Sequence, residues 1–177
     1  LGAPKIDIIK RRILDINPTA EIREFREGID RRNVARFLKD VDLYLDGLDF
    51  FALKERLWLF HQLREQQTSG ITVAPIGMGA SAIVFTPQSM SFADYFGIDE
   101  NTPEIEMALG FLAGLAPSLM QRHYLVDGLR VDLVRQKLPS TPMGCYLCAG
   151  VAGTLVLRLL LNRGGVKTAP WSLHFDS

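Results

Sequence analysis

Asp46 and Asp49 close the run Val41-Asp-Leu-Tyr-Leu-Asp-Gly-Leu-Asp49, an apolar stretch that reads as a strand. Carboxylates at the C-terminal edge of a strand face the crevice in which open α/β sheets bind ligands. A helical pattern from Phe50 to about Gln67 begins straight after them. Asp49 can cap that helix, whose first turn offers unpaired N–H groups and the positive end of a dipole. It can equally hold Mg²⁺ beside a nucleotide, because hard cations take carboxylate oxygen. The residues alone leave both roles open.

Two cysteines form the second chemical feature, Cys145-Tyr-Leu-Cys148. A structural zinc site needs four ligands, and this pair supplies half of them. A thiol in the first turn of a helix is a better nucleophile than a free one. Against both roles, no histidine lies near the pair in sequence, and the pair sits at a helix start rather than in a loop. The cysteines are expected to be buried small apolar residues. His61, His123 and His174 form no His-x-x-x-His pair and accompany no Gly-x-Ser-x-Gly turn. They read as surface or packing residues. Lys10-Arg-Arg12 and Arg31-Arg32 are balanced by nearby acids and read as solvated helix faces. Phe50, Phe51, Trp58 and Phe60 read as core.

The whole chain must position these groups. With 177 residues it can bury one substantial core, so a single domain over 1–177 is expected. Hydrophobic residues make up 47% and charged residues 23%, the balance of a globular protein. Twenty basic residues offset twenty acidic ones, so no global field draws in nucleic acid or an anionic membrane. Two cysteines make no disulfide framework, which points to a reducing, cytoplasmic setting. Cys145–Leu161 is almost wholly apolar but carries Arg158, and it is shorter than the ~20 residues a membrane span needs. Its Ala149, Gly150, Ala152 and Gly153 suit close packing, so a helix largely buried against the sheet is expected.

The patterning alternates helix and strand. Pro4 suits a first helical residue, and Ile6, Ile9, Ile13 and Ile16 follow at helical spacing until Asn17-Pro18. Residues 20–26 alternate apolar and charged side chains, as a half-covered strand does. Residues 33–39 form a short helix capped by Asn33, and 41–45 form a strand. Leu53, Leu57, Phe60 and Leu63 turn inward from the next helix. Residues 71–76 and 82–85 are apolar strands separated by Gly77-Met-Gly79. This order implies crossovers and a mostly parallel, Rossmann-like α/β sheet with flanking helices, parallel from about residue 20 to 86. Residues 89–101 read as loop with one turn of helix, 102–120 as helix, 122–142 as partly extended or mobile surface, and 172–175 as a final strand.

Taken in order, four stretches resemble the ThiF/MoeB/HesA-type adenylyltransferases, the family of ubiquitin-activating enzymes. They are Gly2-Ala-Pro-Lys5 leading into a helix that ends Ile16-Asn-Pro18, and Asp42-Leu-Tyr-Leu-Asp-Gly-Leu-Asp49 leading into its helix. The others are Val73-Ala-Pro-Ile-Gly-Met-Gly-Ala80 before Val84-Phe-Thr-Pro87, and the Gly/Ala-rich run Cys145–Leu161 before a closing strand. The likeness covers nearly the whole chain as the C-terminal two thirds of such a domain. Ser91-Phe-Ala-Asp-Tyr-Phe96 and the lack of zinc cysteines look like a divergent bacterial branch.

The resemblance implies ATP- and Mg²⁺-dependent adenylation of the C-terminal carboxylate of a ubiquitin-like protein or peptide, by a homodimer. It assigns Lys5 to the ATP phosphates and Asp49 to Mg²⁺, both catalytic. Asp46 is a second acidic position near the nucleotide with a mainly structural role. Lys54 stands where the family often has an arginine, which keeps the charge and gives up the bidentate fork. The family's Gly-rich strand-turn-helix, its ribose-binding acid and its phosphate-binding arginine are not in this sequence. The chain as given is therefore expected to hold half an ATP site, with the N-terminal nucleotide-binding part absent. The alternatives are a non-catalytic relative used for binding or dimerisation, and half of another doubly wound nucleotide-binding protein. A Gly-rich fingerprint immediately before Leu1 would favour the enzyme.

Overall fold

The computed structural model describes residues 2–124 and 141–176. Four strands form one sheet in the order β1 (Leu43–Asp46), β2 (Ser69–Ile76), β3 (Gly79–Phe85) and β4 (Ser172–Phe175). Alternation along the strands divides the sheet's side chains between two faces. One face carries Tyr44, Ile76, Ile83 and Phe85, which pack with α2 (Val34–Phe37), α3 (Leu53–Glu65), α4 (Phe92–Phe96) and α5 (Glu104–Leu115). The other carries Ile71, Val73, Ala82 and Val84, which pack with Ala152 and Leu155 of α6 (Pro142–Leu160). The result is a layered α/β fold of Rossmann-like type, as expected.

The strand directions are more mixed than the patterning implies. β1 and β2 are parallel, joined by the α3 crossover. β2 and β3 are antiparallel, with Ile76 opposite Gly79. Only Gly77 and Met78 separate these strands, and a two-residue link can close a hairpin but cannot make a crossover. Gly77 supplies the positive φ of +60° that this turn requires. β4 is antiparallel to β3. The parallel order therefore stops at β2.

Residues 20–25 form no strand. Their alternating charges serve the helix before them instead: Glu24 pairs with Lys10, and Arg26 pairs with Asp7 and Glu24. Phe25 packs edge-on against Phe37 with ring centroids 5.0 Å apart. α1 (Lys5–Ile16) forms where the isoleucine spacing places it, with Pro4 just outside the helix as its N-cap. Its apolar face is not covered, and Ile16 is 86% exposed. Asn33 stands before α2 without capping it; its side chain accepts from the Asp30 amide and donates to the Gly28 carbonyl, both at 2.8 Å.

The segment after β3 contains the expected single turn of helix, α4, capped by Ser91. α5 ends at Leu115, short of Met120, and a separate 3-10 turn spans Met120–His123. The expectation for residues 122–142 lies mostly outside the described residues. α6 starts at Pro142, three residues earlier than its apolar run, because Thr141 Oγ1 accepts from the Gly144 amide at 3.1 Å. It seats on the sheet but is not largely buried: only Gly144, Ala152 and Leu155 are. A helix lying on a sheet offers it one stripe, and the apolar residues of α6 run all the way round. Tyr146, on its outer side, is 81% exposed. By length and composition α6 is the one described helix that could cross a membrane.

Candidate functional site

β1 ends on Asp46, and the helix expected to start at Phe50 starts at Leu53. A six-residue loop, 47–52, therefore hangs between the C-terminal edge of β1 and α3. Two side chains buried beneath it determine its path. Asp46 is 2% exposed and Arg56, one turn into α3, is 4% exposed. Arg56 Nε donates to Asp46 Oδ2 at 2.7 Å. Thr72 Oγ1 on β2 donates to the same oxygen at 3.2 Å, and the Leu48 amide donates to Asp46 Oδ1 at 3.1 Å. Both Asp46 oxygens are thus engaged within the protein.

Arg56 spends its remaining donors on the loop itself. Nη2 donates to the Leu48 carbonyl at 2.7 Å. Nη1 donates to the carbonyls of Asp49 at 2.6 Å and Phe50 at 3.2 Å, with a longer contact of 3.4 Å to Ala52. The guanidinium lies 4.8 Å from the centroid of the Phe111 ring on α5. This is the rigid fork of arginine used in full; a lysine offers no planar array of this kind. Beside it, Tyr44 is held well above the usual phenol range, first by burial and then by the Asp46 charge.

Asp49 caps nothing in α3. Its Oδ1 accepts from the Phe51 amide at 3.1 Å, an Asx turn inside the loop, and Ala52 occupies the N-cap without a side-chain bond. The Asp49 side chain is exposed, and none of the described residues bonds to its Oδ2. A carboxylate with one oxygen in a turn and the other free suits a single-ligand contact to Mg²⁺, which usually keeps several waters and takes phosphate oxygens. No group of three or more His, Cys, Asp or Glu that could hold a metal occurs among the described residues. Asp49 fits a metal shared with a phosphate; it does not fit a metal held by protein alone.

Lys5 opens α1 and is exposed. Among the described residues, no hydrogen bond or ion pair joins it to Asp46, Asp49 or Lys54. Lys54, also exposed, pairs with Glu104 at the start of α5 at 3.3 Å. Cys145 is exposed, and Cys148 is half-buried with its thiol pushed up to about 11 by burial and then by Cys145. The expected burial of the pair is not met: Cys145 is exposed and Cys148 only half-buried, and Cys148 is the less reactive of the two. His61 and His123 are exposed, as expected for surface residues.

Arg56 is the residue that the motif reading passes over. A signal for it exists: Leu53, Leu57, Phe60 and Leu63 define the inward face of α3, and position 56 falls on that face. A charge placed there needs a buried partner. Asp46, the only carboxylate of the neighbouring strand end to be buried, is that partner.

Comparison with known proteins fits this architecture. The ThiF family model matches residues 1–177. Among solved structures, a crystal structure of PaaA superposes with a TM-score of 0.52 at 15% identity, over 90% of this chain and 47% of that one. At that identity the likeness is one of fold, and this chain spans about half the length of that structure. No curated protein matches the sequence.

Proposed function

The chain belongs to the ThiF family, and from that premise we propose that it is part of an ATP- and Mg²⁺-dependent adenylyltransferase acting on the C-terminal carboxylate of a ubiquitin-like protein or peptide. One observation carries this reading. The loop after β1 is fastened from beneath by Asp46 and Arg56, and it leaves the Asp49 carboxylate exposed at the strand edge.

In the reaction, an oxygen of the substrate carboxylate attacks the α-phosphorus of ATP. The bond from that phosphorus to the bridging oxygen breaks, and pyrophosphate leaves with the electron pair. A bound Mg²⁺ would neutralise charge on the phosphate oxygens. Asp49 would hold that ion through the carboxylate oxygen not engaged in its turn. Lys5 offsets the negative charge that grows on the departing pyrophosphate, which is where a preorganised cation lowers the barrier. Lys54, whose Nζ pairs with Glu104, would supply a further positive charge near the nucleotide in this reading. The reading includes a cytoplasmic homodimer.

The exposed apolar faces of α1 and α6 favour a second reading, in which this fold serves association and carries no chemistry. Calorimetry of the full-length protein with ATP and Mg²⁺ separates the two. The enzyme reading expects saturable binding that Asp49→Ala weakens by about tenfold or more, as loss of a metal-orienting group does. Heat of dilution only, in wild type and variant alike, leaves the association reading.

A further inference from the structure

A loop that must present one carboxylate at one place needs its backbone fixed, and loop 47–52 has few means of its own. It contains no regular secondary structure, and its N-terminal half carries Gly47. One buried side chain supplies most of the side-chain hydrogen bonds to its backbone, while Leu48, Phe50 and Phe51 pack against the core. The Arg56 guanidinium reaches the carbonyls of Leu48, Asp49 and Phe50 with good bonds. Its Nε is locked onto Asp46, and its face rests on Phe111. The shortest of the carbonyl bonds, 2.6 Å, is to Asp49 itself.

We propose that Arg56 is a positioning residue: it fixes the backbone of Asp49 and so sets where the free carboxylate oxygen of Asp49 meets a divalent cation. The proposal rests on the reading of Asp49 as a metal-orienting carboxylate. The argument is one of geometry. The carboxylate of Asp49 is two bonds from the backbone that Arg56 grips, so a backbone shift carries the oxygen with it. The Asx turn to the Phe51 amide fixes the side chain relative to the loop, not the loop relative to the sheet. The Arg56 bonds, and Asp46 through the Leu48 amide, are the side-chain hydrogen bonds that refer the loop backbone to β1 and α3; Phe50 and Phe51 also pack on the core, but their rings do not grip the Asp49 carbonyl as Arg56 does. Phe111 extends that reference to α5. Partners that orient a metal's ligand without touching the metal commonly govern its affinity by roughly 10- to 100-fold.

The test uses full-length protein carrying Arg56→Lys. Lysine keeps a charge opposite Asp46 and loses the fork to the three carbonyls. Two readouts are needed: amide hydrogen exchange across residues 48–52, and Mn²⁺ binding in the presence of ATP, followed by electron paramagnetic resonance. A control, Leu155→Ala, loosens the α6 side of the sheet, the face opposite the cluster on which the loop residues pack.

The expected result is faster exchange across 48–52 and Mn²⁺ affinity about tenfold weaker in Arg56→Lys, with affinity unchanged in Leu155→Ala. Wild-type Mn²⁺ affinity in Arg56→Lys overturns the proposal. So does an equal loss in both variants, since that reports general destabilisation. Asp49→Ala tests the underlying reading separately: unchanged Mn²⁺ affinity there removes the metal role of Asp49, whatever Arg56→Lys shows. Should Arg56→Lys not fold, Phe111→Leu removes the ring and leaves every hydrogen bond. It is expected to weaken Mn²⁺ by about threefold, and no change in it overturns the proposal.

Discussion

A guanidinium and a carboxylate taken out of water together are costly, and at Asp46 and Arg56 hydrogen bonds to Thr72 and to the loop carbonyls offset the cost. The pair is therefore better understood as a device for specifying the loop than as a source of stability. A less well satisfied group lies at the other edge of the sheet. His174 on β4 faces Ser81 on β3, and among the described residues neither ring nitrogen finds a partner, nor does Ser81 Oγ. Burial pulls the His174 pKa below its ordinary 6.5, and Asp176 only partly opposes this. The depressed folded value means that the unfolded chain takes up the proton first. The stability that neutral His174 allows is present above the unfolded pKa and is lost as pH falls through the folded one. Urea midpoints should thus drop more between about pH 7.5 and about pH 5 in the wild type than in His174→Gln; parallel profiles would show that His174 is not the group responsible. At this scale the sequence shows which residue types are present but not their orientation. Asp46 and Asp49 look alike as letters, yet the pleat of β1 sends Asp46 into the core while Asp49 lies beyond the strand, exposed in the loop.

Periodicity locates elements well where a helix or strand has a regular stripe, and it says less about what covers that stripe. The isoleucines of α1 and the inward leucines of α3 both predict helices, and both helices form. Yet α3 is buried against the sheet and α1 buries no residue. The alternation at residues 20–26 fails as a strand for a related reason. A strand needs an edge to pair with, and those charges instead meet Lys10 and Asp7 of α1. Strand direction was legible only from loop length: Gly77-Met78 is too short for anything but a hairpin, whereas the element order alone suggests crossovers. On α6 the stripe that matters is narrow. Leu155 is buried between strands and helix, whereas Leu157 on the same helix is 58% exposed. Leu155→Ala should cost about 2–5 kcal/mol by urea titration. Leu157→Ala should stay within about 0.5 kcal/mol in a monomer. Equal losses in the two variants would mean that α6 is covered on its outer side as well.

At the scale of the molecule, the uncovered faces and the open loop belong together. Leu45 on β1, Ile9, Ile13 and Ile16 of α1 and the outer side of α6 are exposed apolar surface among the described residues, the kind of surface that a partner covers. Association is the expected consequence: analytical ultracentrifugation at micromolar concentration should give a dimer or larger species. A single monomeric species at high micromolar concentration would count against it. For the chemistry, no Gly-rich turn opening a helix occurs among the described residues to cradle phosphates. The family and the Asp49 motif were legible in the sequence because they depend on short runs of residues. The fastening of the loop by Arg56 was not, because it depends on three elements meeting. The account turns on whether that loop serves nucleotide chemistry, and ATP–pyrophosphate exchange by the full-length protein with a carboxylate-bearing peptide substrate asks this most directly. The expected result is Mg²⁺-dependent exchange that falls by about 100- to 1,000-fold in Asp49→Ala and in Lys5→Ala, with Cys145→Ala close to wild type. Exchange that survives Asp49→Ala at the wild-type rate would contradict the account.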